Sequence, residues 1–461
     1  MELPKEFVAY TERLMGLERY RRFEEAMSGS SVSFVRPNPY KLHDGVIEGE
    51  HDVKWYDAAV SFGLRPPFTF DPLFHAGLYY VQESSSMFLA HVLRQLVHEP
   101  VSMLDMCAAP GGKSTLSRSV LPEGSLLFCN EPNRNRARVL LENTNKWGHP
   151  DVVVTSNYPR DIRRSGLHFD VVLCDVPCSG EGMFRKDPDS IEEWSTSHVE
   201  ECWRLQREIV SDAWEVLKPG GYLVYSTCTY NVSENEENVR WMTEQFNAEP
   251  VAVTTGQDWN IQPSLLDGFK APVYRFIPGF TGGEGLFMAV LHKQGNTSCQ
   301  KKAPKRKQVG RATFDWLCTD RSYVRKQVAD EIWAIPETLF ELYDIAQRSL
   351  TVLSAGVNIG TQKGKNLIPS QALALSICLE KKAFPRVALD YQQAIRFLRR
   401  DAVVLPQDTP KGYVLVCYRQ QPIGFVKNLG DRANNLYPSE WRVRSTHVPD
   451  RDAEIVKYKN N

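Results

Sequence analysis

Between residues 101 and 293, short apolar runs alternate with stretches of helical periodicity. The runs at 101–106, 126–130, 152–155, 171–175, 222–226 and 286–291 have the length and the Val and Leu content of buried strands. Helical patterns lie between them. Residues 133–147 place Ala137, Leu140, Leu141 and Thr144 on one stripe, and residues 199–217 do the same with Cys202, Leu205, Ile209, Ala213 and Val216. Lys218-Pro-Gly-Gly is expected to stop the second helix, as glycine after a last turn does. Strand–helix alternation predicts an α/β fold, a parallel sheet with helices on both faces. In such sheets a ligand sits outside the carboxyl ends of the strands.

Residues 1–85 carry helical patterns followed by Ser33-Phe-Val-Arg-Pro-Asn-Pro-Tyr-Lys41, and read as a small α+β module. Residues 296–312 are a polar break holding Lys301, Lys302, Lys305, Arg306 and Lys307. This break reads as a linker able to touch phosphate, or equally as a solvated tether. Residues 313–461 form another unit. Its strand patterns at 413–418 and 423–426, split by Arg419-Gln-Gln-Pro422, suggest a small β-rich domain. The expected division is therefore 1–85, 86–295, 296–312 and 313–461, with no internal repeat.

A length of 461 residues suits two to four domains, and 42% hydrophobic with 24% charged residues is ordinary for soluble protein. The net charge of −1 gives no global basic field, so nucleic acid would be met by local patches. The first twenty residues lack an apolar core, and no apolar run is long enough to span a bilayer, so neither a secretory signal nor a membrane partner is expected. Ten cysteines follow no frame. The tight pair Cys174 and Cys178 lacks the second pair and histidines of a zinc site, so no metal is expected and a reducing cytoplasm fits.

Three strand-to-loop junctions carry chemistry. Cys107, Ala108, Ala109, Pro110, Gly111, Gly112 and Lys113 follow the first strand. Their glycines let backbone approach a nucleotide-like cofactor, and the next helix offers free N–H groups. Gly112-Lys113-Ser114 also fits half of a nucleotide-triphosphate loop, but Cys107 stands where that loop requires glycine. Glu131, ending the second strand, is placed to accept hydrogen bonds from ribose hydroxyls. Alone it would read as an acid at a helix N-terminus. Asn157, after the third strand, is placed to face an adenine.

The other two junctions are Asp175-Val-Pro-Cys178 and Ser226-Thr-Cys228-Thr229. A buried cysteine is usually a small core residue, and Cys129, Cys174, Cys202 and Cys378 read that way. Cys178 and Cys228 differ, because polar, turn-like residues follow each at a strand end. Two thiols, a carboxylate and a cofactor turn are what methylation of a pyrimidine ring carbon requires. Carbon 5 of cytosine is a poor nucleophile. A thiolate that adds to carbon 6 makes carbon 5 reactive, and a base later removes its proton. Asp175 is the candidate for ring N3. Local sequence does not rank Cys178 and Cys228 as nucleophile.

At these residues the chain resembles the Sun-type RNA cytosine-5 methyltransferases, most closely the bacterial RsmF-type rRNA enzymes, over nearly its whole length. The resemblance is carried by Leu104-Asp-Met-Cys-Ala-Ala-Pro-Gly-Gly-Lys113, by Asp175-Val-Pro-Cys-Ser-Gly-Glu-Gly-Met-Phe-Arg-Lys-Asp-Pro188, and by Tyr225-Ser-Thr-Cys-Thr229. Gly77 to Met87 and Lys427 to Pro438 extend it to both flanks. It implies a Rossmann-like S-adenosylmethionine-dependent methyltransferase core, with a small α+β N-terminal module and a C-terminal PUA-like RNA-binding region. It implies S-adenosyl-L-methionine as cofactor, lined by residues 107–113, Glu131, Asn157 and Asp175, with Lys113 close to the substrate. It implies Cys228 as nucleophile, Cys178 as the residue assisting release of methylated RNA, and Asp175 beside them. Asn157 departs from the Asp common at its place in the family.

The implied partner is RNA, with small-subunit (16S) rRNA favoured and the target base flipped or unpaired. Arg185 and Lys186 are expected on RNA phosphate. In the tail, Arg396, Arg399, Arg400, Lys427, Arg432, Arg442 and Arg444 are the candidates for charge, with Tyr437 and Trp441 for stacking or packing. A tRNA substrate and a non-catalytic ribosome-assembly factor are the alternatives. A scaffold has no need of two matched thiols. Oligomeric state is not legible.

Overall fold

The computed structural model describes residues 3–295, 311–445 and 447–458, so all but the last two residues of the expected tether at 296–312 lie outside the described residues. Six strands form the centre: β1 (Ser102–Asp105), β2 (Leu126–Asn130), β3 (Val152–Thr155), β4 (Phe169–Asp175), β5 (Leu217–Thr227) and β6 (Leu286–His292). Their spatial order is β6-β5-β4-β1-β2-β3. β3, β2, β1, β4 and β5 run parallel, while β6 is antiparallel to β5. The sheet is thus mixed, not wholly parallel as the alternation suggested. The order reverses between β1 and β4, and the crevice at such a switch point is where this class of sheet binds ligands.

Alternate residues of each strand enter opposite cores. Leu104, Phe128, Val153, Val172 and Leu223 face one layer, and Met103, Leu127, Val154, Val171 and Val224 the other. Both faces are apolar because helices cover both. Helix α1 (Gly112–Val120) follows β1, and α2 (Arg134–Trp147) follows β2. Asn133 caps α2 by accepting from the Asn135 and Arg136 amides, and Gly148 ends it with φ 81°. Helix α3 (Thr196–Val216) is capped by Ser195.

The end of α3 departs from expectation. Lys218-Pro-Gly-Gly does not follow it as a loop, because β5 begins at Leu217 and carries those residues within the strand. Lys218 pairs with Asp170 of β4, and a Cβ at Gly221 would lie 2.6 Å from the Asp170 carbonyl oxygen, so the tight strand pairing selects glycine. On α3, Leu205 is exposed and Gln206 is fully buried, because a polar network beneath the active-site loops recruits the amide.

The flanking regions are joined to this core and to each other. The helices Lys5–Met15 and Leu17–Met27 pack Phe7 and Phe23 against Phe184, Trp194 and Tyr230 of the segments that follow β4 and β5. Ser33–Pro37 is the middle strand of a three-stranded antiparallel sheet with Val60–Phe62 and Tyr79–Val81. Val35, Leu73 and Tyr79 of this module share one hydrophobic cluster with Val387, Phe397, Val414 and Val426 near the other end of the chain. The strand Gly45–Ile47 pairs with Val456–Tyr458. In the tail, the two expected strands, Gly412–Tyr418 and Gln421–Asn428, pair antiparallel, and Gln421 and Pro422 lie within the second of them. Val352–Ala355 adds an antiparallel strand to β3 at the edge of the central sheet. Such non-local pairings leave no periodicity in the sequence.

Candidate active site

The three junctions meet where β1, β4 and β5 end. Asp175 ends β4, and Ser226 pairs with it across from β5. The Sγ atoms of Cys178 and Cys228 lie 3.0 Å apart, and the Cys228 amide donates to the Cys178 sulfur at 3.4 Å. Lys113 Nζ donates to Asp175 Oδ2 at 2.8 Å, and Ser226 Oγ to Asp175 Oδ1 at 2.9 Å. Both thiols are partly accessible. The Cys178 thiol is pushed well above its usual value by its hydrogen bond with Cys228, by burial, and by the charges of Cys228 and Glu234. Cys178 therefore holds its proton. Burial pulls Lys113 down, but Asp175 and the charge on Cys228 raise it further, so Lys113 is a firm cation within the field of Cys228. A neighbouring ammonium favours thiolate.

Beneath the thiols lies a network that sequence reasoning missed. Glu181 and Glu234 are both buried, three residues after Cys178 and six after Cys228. Asn231 bridges them, its Nδ2 lying 3.1 Å from Glu181 Oε1 and 2.7 Å from Glu234 Oε1. Glu234 Oε2 accepts from the Ser179 amide at 3.1 Å and from Gln206 at 2.6 Å, tying the Cys178 loop down. Glu181 Oε2 accepts from the Tyr230 and Asn231 amides, tying the Cys228 loop. The polar run Tyr230-Asn-Val-Ser-Glu-Asn-Glu-Glu-Asn238 directly after Ser-Thr-Cys-Thr was the available signal, since so many hydrogen-bonding groups seldom follow a core strand without a partner network.

Burial, and then the charge of Glu181, push Glu234 up to about 7 from 4.5. Below pH 4.5 the folded and unfolded chains both keep this proton, and the fold pays nothing for it. As the pH rises through about 7 the unfolded chain has already released it, so stability falls, by on the order of 3 kcal/mol. Unfolding free energies of wild type and Glu234→Gln, measured from pH 4.5 to 7.5, should show a steeper decline in the wild type. Equal slopes would mean that the Glu234 charge does not act this way.

The turn after β1 has the features of a nucleoside site. Gly111 precedes α1 with φ 108°, and a Cβ there would meet Leu140 at 3.3 Å. Arg136 and Asn143 of α2 hold the carbonyls of Ala109 and Pro110 at 3.0 and 2.8 Å. Glu131 is buried. Its Oε1 accepts from the Asn133 amide, while Oε2 has no hydrogen-bond partner and has only Arg136 at 3.6 Å. A buried carboxylate oxygen left free is what a ribose hydroxyl would satisfy. Asp105 also keeps one unpartnered oxygen, and burial raises it to about 7. Cys107 is buried within this turn.

Other expected residues are engaged elsewhere. Both polar atoms of the Asn157 amide bind the backbone of Thr351, at 2.9 and 3.2 Å. Asn157 thereby fastens the added edge strand and does not present a free amide to an adenine. Arg185 is no free phosphate ligand, since it pairs with Glu284 at 2.6 Å and donates to the Ala26 and Gly283 carbonyls. Lys186 joins the same carboxylate at 3.6 Å. Tyr437 is core, packed on Phe397 and Trp441, and Trp441 is partly buried. Arg399 pairs with Asp401, and Lys427 is half-buried over Tyr413, while Arg396, Arg400, Arg432, Arg442 and Arg444 are exposed. Cys129, Cys174, Cys202 and Cys378 are buried. Among the described residues no cluster of His, Cys, Asp and Glu is arranged to hold a metal ion, and no helix is long and apolar enough to cross a membrane.

Comparison with known proteins shows what the chain is similar to. Residues 92–292 match the family model described as 16S rRNA methyltransferase RsmB/F. Residues 3–84 match the N-terminal domain of 16S rRNA methyltransferase RsmF, and residues 384–443 match the methyltransferase RsmF PUA domain. The ribosomal RNA small subunit methyltransferase F of Erwinia tasmaniensis is 30% identical over 390 residues, covering 79% of this chain and 78% of that one. Its counterpart in Cronobacter sakazakii is 31% identical over 388 residues, with the same coverage of both chains. A methyltransferase homologue from Pyrococcus horikoshii is similar in structure, with TM-score 0.51, 25% identity, and coverage of 63% of this chain and 100% of that one. NSun6 from Pyrococcus horikoshii, solved with the S-adenosylmethionine analogue SFG, has TM-score 0.53 at 21% identity, covering 64% and 99%. From its thiol pair to its tail, the chain belongs to the RsmF family of S-adenosylmethionine-dependent RNA methyltransferases.

Proposed function

We propose that this protein methylates carbon 5 of a cytosine in 16S rRNA through a covalent adduct on Cys228. The observation that carries this reading is the pair of facing thiols beside Lys113 and Asp175. S-adenosylmethionine, when bound, supplies an electrophilic methyl group. Residues 107–113 and Glu131 are the groups that would hold it, and Asn157 is left out because Thr351 occupies its amide.

The protein's own residues then divide the work. Cys228, in the field of Lys113, adds as thiolate to carbon 6, and the ring electron pair moves toward carbon 5. Asp175, oriented by Lys113 and Ser226, takes the N3 and N4 edge of the cytosine. Release requires a base, supplied by water at this partly accessible site, to take the carbon 5 proton as the S–C6 bond breaks and its electron pair returns to the Cys228 sulfur. The proton kept on Cys178, whose sulfur is 3.0 Å from that of Cys228, stabilises that charge by hydrogen bonding to it. In this reading the chain divides into a module to residue 85, a catalytic domain at 86–295 and a C-terminal RNA-binding region from 313, joined by the segment 296–312.

The test supplies methyl-labelled S-adenosylmethionine with 16S rRNA, assembling small subunits or tRNA, followed by nucleoside mass spectrometry. Labelled 5-methylcytidine from rRNA or subunits is the expected product. Label in tRNA alone would overturn the substrate, and label on any other atom would overturn the chemistry.

A further inference from the structure

Arg36 lies in the N-terminal module, far in sequence from the turn after β1, yet it is fully buried against that turn. Its Nη2 donates to the Gly112 carbonyl at 2.9 Å and to Thr115 Oγ1 at 2.5 Å. Thr115 Oγ1 donates in turn to the Gly111 carbonyl at 2.7 Å. Arg36 Nε is held by Gln82 at 2.6 Å, and the guanidinium is flanked by the rings of Tyr80 and Trp147 at 5.0 and 4.5 Å. Tyr80 and Gln82 are also the side chains nearest to Gly112, at 3.3 and 3.4 Å from a Cβ built there. One cation from another module thus fixes both glycines of the turn.

Two features of Arg36 are costly for the protein alone. No carboxylate pairs with it among the described residues, and its Nη1 has no partner. A buried cation without a counter-charge is unfavourable. It also sits at the N-terminus of α1, where the helix dipole is already positive. An anion at that helix end offsets both. The methyl donor carries a carboxylate on its amino-acid tail, and helix N-termini bind such groups.

We infer that Arg36 makes the N-terminal module part of the methyl-donor site, by fixing Gly112 and Thr115 and adding its charge where the donor's carboxylate binds. This rests on residues 107–113 being the donor turn. Arg36 is a positioning residue, and its contribution reads out in affinity for the donor's tail.

Calorimetry on the full chain separates the cases, with S-adenosylhomocysteine, which keeps the carboxylate, and methylthioadenosine, which lacks the tail. Arg36→Gln should weaken S-adenosylhomocysteine about tenfold or more and methylthioadenosine far less, since one charge interaction is lost. Arg36→Lys should recover part of the loss. If Arg36→Gln fails to fold, Thr115→Val removes one acceptor and leaves the cation, and should weaken S-adenosylhomocysteine selectively by a smaller factor. Full affinity in a folded Arg36→Gln protein would overturn the inference, as would equal loss for both nucleosides. If wild type binds neither nucleoside, the donor-turn assignment itself fails. Binding by wild type with no selective effect of the variants sinks only the role of Arg36.

Discussion

Cys228→Ala should abolish methyl transfer, by about 10⁴-fold or more, and give no RNA–protein adduct, whereas Cys178→Ala should accumulate one. The two thiols are 3.0 Å apart, so composition and distance alone treat them alike. Their surroundings do not. Cys178 is pushed up by its hydrogen bond with Cys228 and by burial and keeps its proton, while Lys113 senses the charge of Cys228. The proposed nucleophile is therefore Cys228, the sulfur whose charge the Lys113 ammonium meets. Removing Cys178 leaves addition and methylation possible but takes away the proton that supports departure of the Cys228 sulfur. A denaturing gel of each variant with substrate RNA and S-adenosylmethionine reads this directly, as a slow band. A band with Cys228→Ala and none with Cys178→Ala would exchange the roles. No band with either variant, from RNA that wild type methylates, would remove the covalent step.

Glu236→Ala should destabilise the protein by about 3–5 kcal/mol, the usual cost of stripping one partner from a buried ion pair. Glu236 and Arg275 are both essentially inaccessible, at 0% and 1% side-chain exposure, and their contact is two-pronged. Arg275 also donates to the Tyr230 carbonyl at 2.6 Å, and Glu236 accepts from the Leu265 amide at 3.0 Å. Glu236→Ala would leave the Arg275 guanidinium buried without its counter-charge. The double replacement Glu236→Leu with Arg275→Met should recover much of the loss, because no charge then remains inside. Denaturant unfolding of the single and double variants measures both. A double variant no better than Glu236→Ala would mean that the pair holds geometry, not merely charge. Tyr230 is two residues past Cys228, so the single variant should also lower turnover.

The six central strands, the two helices following the patterns at 133–147 and 199–217, and the three loop junctions were legible because each is a local pattern. Burial of both faces along β1 to β5 needs Leu and Val at successive positions, and the turn after β1 needs glycine where backbone and helix come close. What misled was also local. Lys218-Pro-Gly-Gly has the composition of a helix stop, yet it pairs inside β5 because Lys218 meets Asp170 and Gly221 fits under a β4 carbonyl. Arg185 and Lys186 look like free cations in sequence, but Glu284, almost a hundred residues on, takes both.

The sequence by itself determined the α/β core, the cofactor turn and the set of two thiols with a carboxylate, since each depends on residue type at short spacing. Tertiary structure decided which groups remain free to act. It brought Glu181 and Glu234 under the two cysteine loops through Asn231, gave Asn157 to Thr351, and carried Arg36 to the turn after β1. It also set Cys178 apart, because its hydrogen bond with Cys228 and its burial hold its proton, and neither is written in the residues beside a cysteine.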